Sequence, residues 1–145
     1  MPNRYVACTL LLFCAALGGS ATEKRENRAH SFDWPQWQGP ERTAISLEKG
    51  LLETWPKDGP PLVWRAKSLG GGYSTPSIAA GRVFGMSFRG NDEVVWALDE
   101  ATGKELWATR IAAANRGIGY GEGPRCTPTV DGDSVYALGV SGDLV

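Results

Sequence analysis

Two short segments of this chain copy one another at a fixed distance, and that self-similarity limits the fold more than any single motif. Thr75-Pro76-Ser77-Ile78 and Thr127-Pro128-Thr129-Val130 lie 127 − 75 = 52 positions apart, and the register continues without a gap through Val83/Val135, Phe84/Tyr136 and Met86/Leu138. The faces repeat as well. Phe84, Met86 and Phe88 alternate with Val83, Gly85 and Ser87, just as Tyr136, Leu138 and Val140 alternate with Val135, Ala137 and Gly139. A period of two sends bulky side chains to one side of a strand and slim ones to the other. A sheet with one bulky and one slim face nests against a copy of itself, so area is buried by stacking units.

Between the two copies, residues 93–110 read EVVWALDEATGKELWATR. Val94, Trp96 and Leu98 alternate with Val95, Ala97 and Asp99, which predicts a strand buried on both faces. Asp99, Thr102 and Gly103 supply the turn: Asp and Thr side chains bond nearby backbone N–H groups, and Gly accepts positive φ without a Cβ penalty. Lys104-Glu105-Leu106-Trp107 returns as the next strand, with Trp107 expected in the interior. This A-L-D-x-x-T-G-x-x-L-W pattern resembles the repeat of the PQQ-type β-propellers, found in quinoprotein dehydrogenases and in BamB-like outer-membrane assembly proteins. The resemblance implies an all-β chain, a partial β-propeller of four-stranded antiparallel blades. One blade is expected with strands near 73–79, 82–88, 93–99 and 105–110. A second begins near Arg125 and stops after two strands, with Leu144-Val145 opening a third. A closed ring takes typically four to eight blades, so about one and a half suggest a truncated ring.

Composition agrees: 19 Gly and 9 Pro in 145 residues, with scarcely any helical periodicity, favour strands and turns. Fifteen basic residues against 16 acidic ones, without clustering, give no nucleic-acid surface.

Four segments are expected: a signal peptide over 1–21, a flexible linker over 22–33, a Trp/Pro-rich lead-in over 34–66 and the repeats over 67–145. Arg4 precedes an apolar run of about 13 residues, 5–17, and Gly19-Ser20-Ala21 offers small residues for cleavage after Ala21. That run is shorter than the ~20 residues of a spanning helix, so no transmembrane anchor is expected in the mature chain. Bulky Phe13 before Cys14 speaks against a lipoprotein signal. Export to the periplasm or beyond is the expectation. Cys8 and Cys14 leave with the signal. Cys126 remains without a partner for an internal disulfide, and is read as a small buried residue where a strand starts. The only histidine, His30, lies in the linker, which disfavours a Ser-His-Asp triad or a histidine metal site.

In the lead-in, Trp34, Trp37, Trp55 and Trp64 stand among Pro and Gly. They are read as anchors pinning an irregular segment, in preference to a sugar-stacking platform, because no regular strand spacing aligns them. Residues 61–65 are expected to supply a strand that completes a last blade.

Binding chemistry is expected on the rim loops 89–92 and 111–124. Gly117, Gly119, Gly121 and Gly123 either admit a ligand to the backbone or only let the chain turn between blades, and the second reading is preferred. Arg116, Tyr120, Glu122 and Arg125 are the candidates to grip a ligand. Pro124 stands where a dinucleotide fingerprint counted from Gly119 needs its last Gly. Gly139-Val140-Ser141-Gly142 lacks the spacing of a nucleophile elbow. Asp131-Gly132-Asp133 is a hairpin turn rather than a calcium loop, which needs ligands over twelve residues. Asp99 and Glu105 form no evident acid–base pair.

No catalytic or metal residue is assigned, and Asp99, Thr102, Gly103 and Trp107 are structural. The resemblance therefore implies a non-catalytic exported scaffold with a protein or polymer partner at its rim. Its alternative is the N-terminal part of a quinoprotein dehydrogenase, in which PQQ and calcium accept a hydride from an alcohol or sugar. The adjacent cysteine pair that such dehydrogenases often carry is absent.

Overall fold

The computed structural model describes residues 32–115, 117–118 and 123–145. Its strands are β1 (Ser77–Ala79), β2 (Arg82–Arg89), β3 (Asp92–Asp99), β4 (Glu105–Ala113), β5 (Thr129–Asp131) and β6 (Ser134–Tyr136). β1 to β4 form one antiparallel sheet in chain order, and β5 and β6 form a hairpin. This is one complete four-stranded propeller blade followed by the inner part of a second. No helix among the described residues is long and apolar enough to cross a membrane.

The repeat is visible in the backbone. Ser77↔Phe84, Ile78↔Val83 and Ala79↔Arg82 in the first hairpin become Thr129↔Tyr136, Val130↔Val135 and Asp131↔Ser134 in the second, each partner 129 − 77 = 52 positions later. Directly opposed residues share a face, so one register fixes two opposite surfaces. On the first face of the sheet, Phe84, Met86, Val95, Ala97 and Ala79 meet Val130, Val135 and Ala137 of the second unit. The bulky row of one blade thus receives the slim row of the next, as the alternation requires.

On the opposite face, Val94, Trp96 and Leu98 pack with Val83 and are covered by Trp64, Ala66 and Leu69 of the lead-in. Gly85 pairs with Trp96, and the indole lies over it so closely that a Cβ there would overlap the six-membered ring. The missing side chain is the seat of the indole. Burying one such aromatic contributes roughly 1.5–3 kcal/mol, which makes Trp96 and Phe84 the main weights on either side of the sheet. Register shifts on the β3–β4 ladder leave Leu106 and Ile111 as bulge residues. Ile111 turns inward to join Met86, Val95 and Ala137.

Three expectations need correction. Trp34 and Trp64 are half-buried, but Trp37 and Trp55 stand in solvent, so only two of the four indoles act as anchors. What fixes the anchored pair is a glycine seat: Trp34 lies against Gly39 and Trp64 against Gly103. Residues 61–65 form no strand, and Leu62 and Val63 are exposed. Trp64 docks by its side chain alone, its Nε1–H donating to the Glu100 carbonyl at 2.8 Å. Trp107 is 38% exposed. Its ring reaches Phe84, with centroids 6.1 Å apart, but β5 and β6 cover the inner strands of the sheet and leave this outer-strand indole beside an open crevice of about 160 Å³.

The lead-in starts as a thread laid between the two inner strands. Trp34 exchanges hydrogen bonds with Ile78 of β1 at 2.7 and 2.9 Å, and the Pro35 carbonyl accepts from Val130 N–H of β5 at 2.8 Å. Asp33 Oδ2 accepts from Ala80 N–H at 3.0 Å. Pro suits the middle of this thread because it has no N–H to leave unpaired.

Candidate functional site

The expected rim forms where β2 turns into β3 and where β4 leads toward β5. A third strand of chain joins it: Gly71 and Phe88 exchange backbone hydrogen bonds at 3.1 and 2.7 Å, and Tyr73 N–H donates to the Pro124 carbonyl at 2.9 Å. Gly71 and Gly123 close around the Phe88 ring, which a Cβ at either position would strike at 2.5 or 2.6 Å. The ring therefore holds the two segments together, and Gly123 is at least in part a packing residue.

Of the four rim candidates, Arg116, Tyr120 and Glu122 lie outside the described residues. Arg125 is exposed, its guanidinium 5.8 Å from the centre of the Tyr73 ring. Tyr73 is itself exposed, and Ser74 Oγ donates to the Cys126 carbonyl at 2.6 Å, so the two inner-strand lead-ins run side by side. A cation over an exposed aromatic face gains about 0.5–1 kcal/mol, enough to bias the Arg125 side chain toward one position. Beside it Trp37, Thr75, Arg125, Cys126 and Thr127 enclose a depression of about 320 Å³. Cys126 is exposed, contrary to the buried role expected of it: β5 begins only at Thr129, and of the residues before it Pro124 and Pro128 are buried while Arg125 and Cys126 between them face solvent.

The carboxylates near the rim are engaged. Asp92 takes the Arg110 guanidinium at 2.7 Å. Arg89 donates to both carboxylate oxygens of Glu105, at 3.2 and 2.7 Å, and to the Leu69 carbonyl at 2.9 Å, while Ser87 Oγ also donates to Leu69. Trp96 Nε1–H completes the chain by donating to Ser87 Oγ at 3.2 Å. Glu93 is 1% exposed at the seam between the two blades, where its Oε2 accepts from Val140 N–H at 3.0 Å and its Oε1 has no partner among the described residues. Gly139 leaves room for it, since a Cβ there would come within 2.8 Å of Oε2.

The turn motif does structural work at the opposite end of the blade. Asp99 Oδ1 accepts from Thr102 Oγ1 at 2.6 Å and Thr102 N–H at 2.8 Å. The Thr102 hydroxyl first, and its N–H second, hold the Asp99 carboxyl below the usual carboxylate range. Gly103 sits at φ 69° under the Trp64 ring, which leaves no space for a side chain. Trp107 ends the motif on the outer strand. Glu105, turned toward Arg89, makes no pair with Asp99.

Sequence reasoning passed over Trp37, Tyr73 and Glu93. A Trp beside Gln and Gly at the tip of a Pro-flanked loop is a signal for exposure that the anchor reading set aside. Glu93 gave none, because a charged residue opening a strand normally faces water.

A family model with the description outer membrane protein assembly factor BamB matches residues 39–145. No curated protein and no solved structure gives a significant match to the chain.

Proposed function

The chain belongs to the PQQ-type repeat family whose model bears that BamB description, and from that premise we propose that it is an exported, non-catalytic β-propeller scaffold holding a protein or polymer partner at its rim. One contrast carries the reading. Asp92, Asp99 and Glu105 are committed to ion pairs and a turn and Glu93 is buried at the seam, while Tyr73, Trp37 and Arg125 face solvent together. Aromatic residues and Arg grip a partner surface without a reactive pair, and they are the types enriched at interface hot spots.

Calcium beside a quinone needs a cage of oxygen ligands. Among the described residues no three His, Cys, Asp or Glu side chains converge on such a position, so no chemical step through PQQ or calcium is derived. The experiment is dye reduction by the purified chain with PQQ, calcium and a panel of alcohols and sugars. No turnover above the protein-free control is the expected result, and saturable turnover would replace this reading with the dehydrogenase one. Export is tested by the N-terminus of the protein recovered from the periplasm, expected at Thr22.

A further inference from the structure

We infer that Glu93 is a latch: its buried carboxylate fixes the turn of the second blade and, through that turn, the root of the rim loop. Seam and rim therefore open together. The latch goes beyond the scaffold reading and holds whichever partner the rim takes.

The two repeats differ at this turn. β2 runs on to pair Phe88 with Glu93 before it turns, whereas the second unit turns directly after Leu138, which bridges Leu144. Val140, 140 − 88 = 52 positions after Phe88, thus lies in a turn where its counterpart lies in a strand. Their N–H groups find different acceptors. Phe88 N–H donates to the Gly71 carbonyl at 2.7 Å, and Val140 N–H donates to Glu93 Oε2 at 3.0 Å. A side chain of the first blade does for the second what a backbone carbonyl does for the first. Gly139 leaves it room, since a Cβ there would come within 2.8 Å of Oε2 and 3.2 Å of Ile111 Cγ2. A carboxylate accepting from a backbone N–H makes a stronger bond than a neutral acceptor, and a donor left in a seam without its acceptor has lost water and partner alike.

From the latch a short chain of hydrogen bonds leads outward. The turn is closed by Gly139 N–H on the Asp143 carbonyl at 2.8 Å and Gly142 N–H on the Gly139 carbonyl at 3.1 Å. Beside Val140, Ser141 Oγ accepts from Asn115 Nδ2 at 3.4 Å, and Asn115 Oδ1 accepts from Gly117 N–H at 3.0 Å. Asn115 and Gly117 stand where β4 gives way to the rim loop. Coupling is carried by contiguous contacts around an element with two arrangements, here the turn seated on Glu93 or released from it. Linkage is reciprocal, so a partner that holds Asn115 in place also steadies the second blade.

The test is amide hydrogen exchange of the 145-residue chain, resolved by residue, with Asp99 N–H as the reference because it bonds the Lys104 carbonyl at the far end of the sheet. Glu93→Ala should speed exchange at Val140 at least tenfold and at Gly117 at least threefold, with Asp99 unchanged. Glu93→Gln, which keeps an acceptor oxygen, should stay close to the parent at both. Gly139→Ala, which pushes the carboxylate aside, should act as Glu93→Ala does. Ser141→Ala should speed Gly117 and leave Val140 as it was. Val140 still protected in folded Glu93→Ala, or Gly117 unmoved while Val140 is freed, overturns the latch. Equal acceleration at Asp99 overturns it too, since Glu93 would then act only as a part of the core. If Glu93→Ala does not fold, Gly139→Ala and Ser141→Ala decide, and an unchanged Gly117 in both removes the latch.

Discussion

In the first hairpin Ser77 and Ala79 are buried and Phe84 is 3% exposed, whereas their counterparts Thr129, Asp131 and Tyr136 in the second range from half-buried to open, Tyr136 at 48%. The two hairpins pair residue for residue in the same register. Register is therefore written locally, in the turn and the alternation, while burial is conferred by whatever lies against the face. Phe84 has Val130 and Val135 opposite it, and Tyr136 points the other way, to a face that no described residue covers to the same degree. A stacked repeat behaves in this way, since each unit contributes half of two interfaces.

Four substitutions break or sharpen that comparison. Phe84→Ala should cost the most, about 3–5 kcal/mol for emptying an aromatic site between two sheets, read as a shift of the urea midpoint. If it proved as mild as a surface change, the seam between the blades would not be a core. Gly103→Ala is next: a left-handed residue with a side chain costs about 1–2 kcal/mol before the Trp64 ring is displaced. Its signature is a red shift of tryptophan emission alongside the loss of stability, and an unchanged spectrum would dissociate the turn from the lead-in.

Asp99→Asn should act through pH. The folded Asp99 carboxyl is held below its ordinary range by Thr102, so its contribution is present above the unfolded value of about 4 and fades as pH falls through the folded one. The parent melting temperature should therefore fall more steeply than the variant's between about pH 4 and pH 2, and parallel curves would remove the Thr102 contacts from the account. Tyr136→Ala should do least, within about 0.5 kcal/mol, as for other exposed positions. A loss near that of Phe84→Ala would mean that the second hairpin has a covered outer face in solution.

What could be read from the residues was whatever two neighbours in a strand decide between them. The 52-residue register, the sides to which Phe84 and Val135 point, the buried run at 94–98 and the Asp99–Gly103 turn all follow from alternation and turn chemistry, and all are present. The lead-in was harder, because its Trp residues follow no period and their fate depends on distant partners. Trp64 is kept by Gly103, 39 positions on (103 − 64), and nothing near Trp55 announces that such a seat is missing. The candidate site was legible only at Arg125. Its companions come from two other stretches, Trp37 from one and Tyr73 and Thr75 from the other, which the thread at Trp34 and Pro35 draws together, and no local pattern encodes that meeting.

That thread also imposes a timetable. Pro35 finds its partner in Val130, 130 − 35 = 95 positions away, while every rung of the first sheet joins residues far closer in the chain. Short closures are kinetically cheap and long ones slow. A chain emerging amino end first can tie Asp33 and Trp34 to Ala80 and Ile78 once the first hairpin exists, but the bond at Pro35 waits for β5, so that one rung is the seal put on after the walls are up.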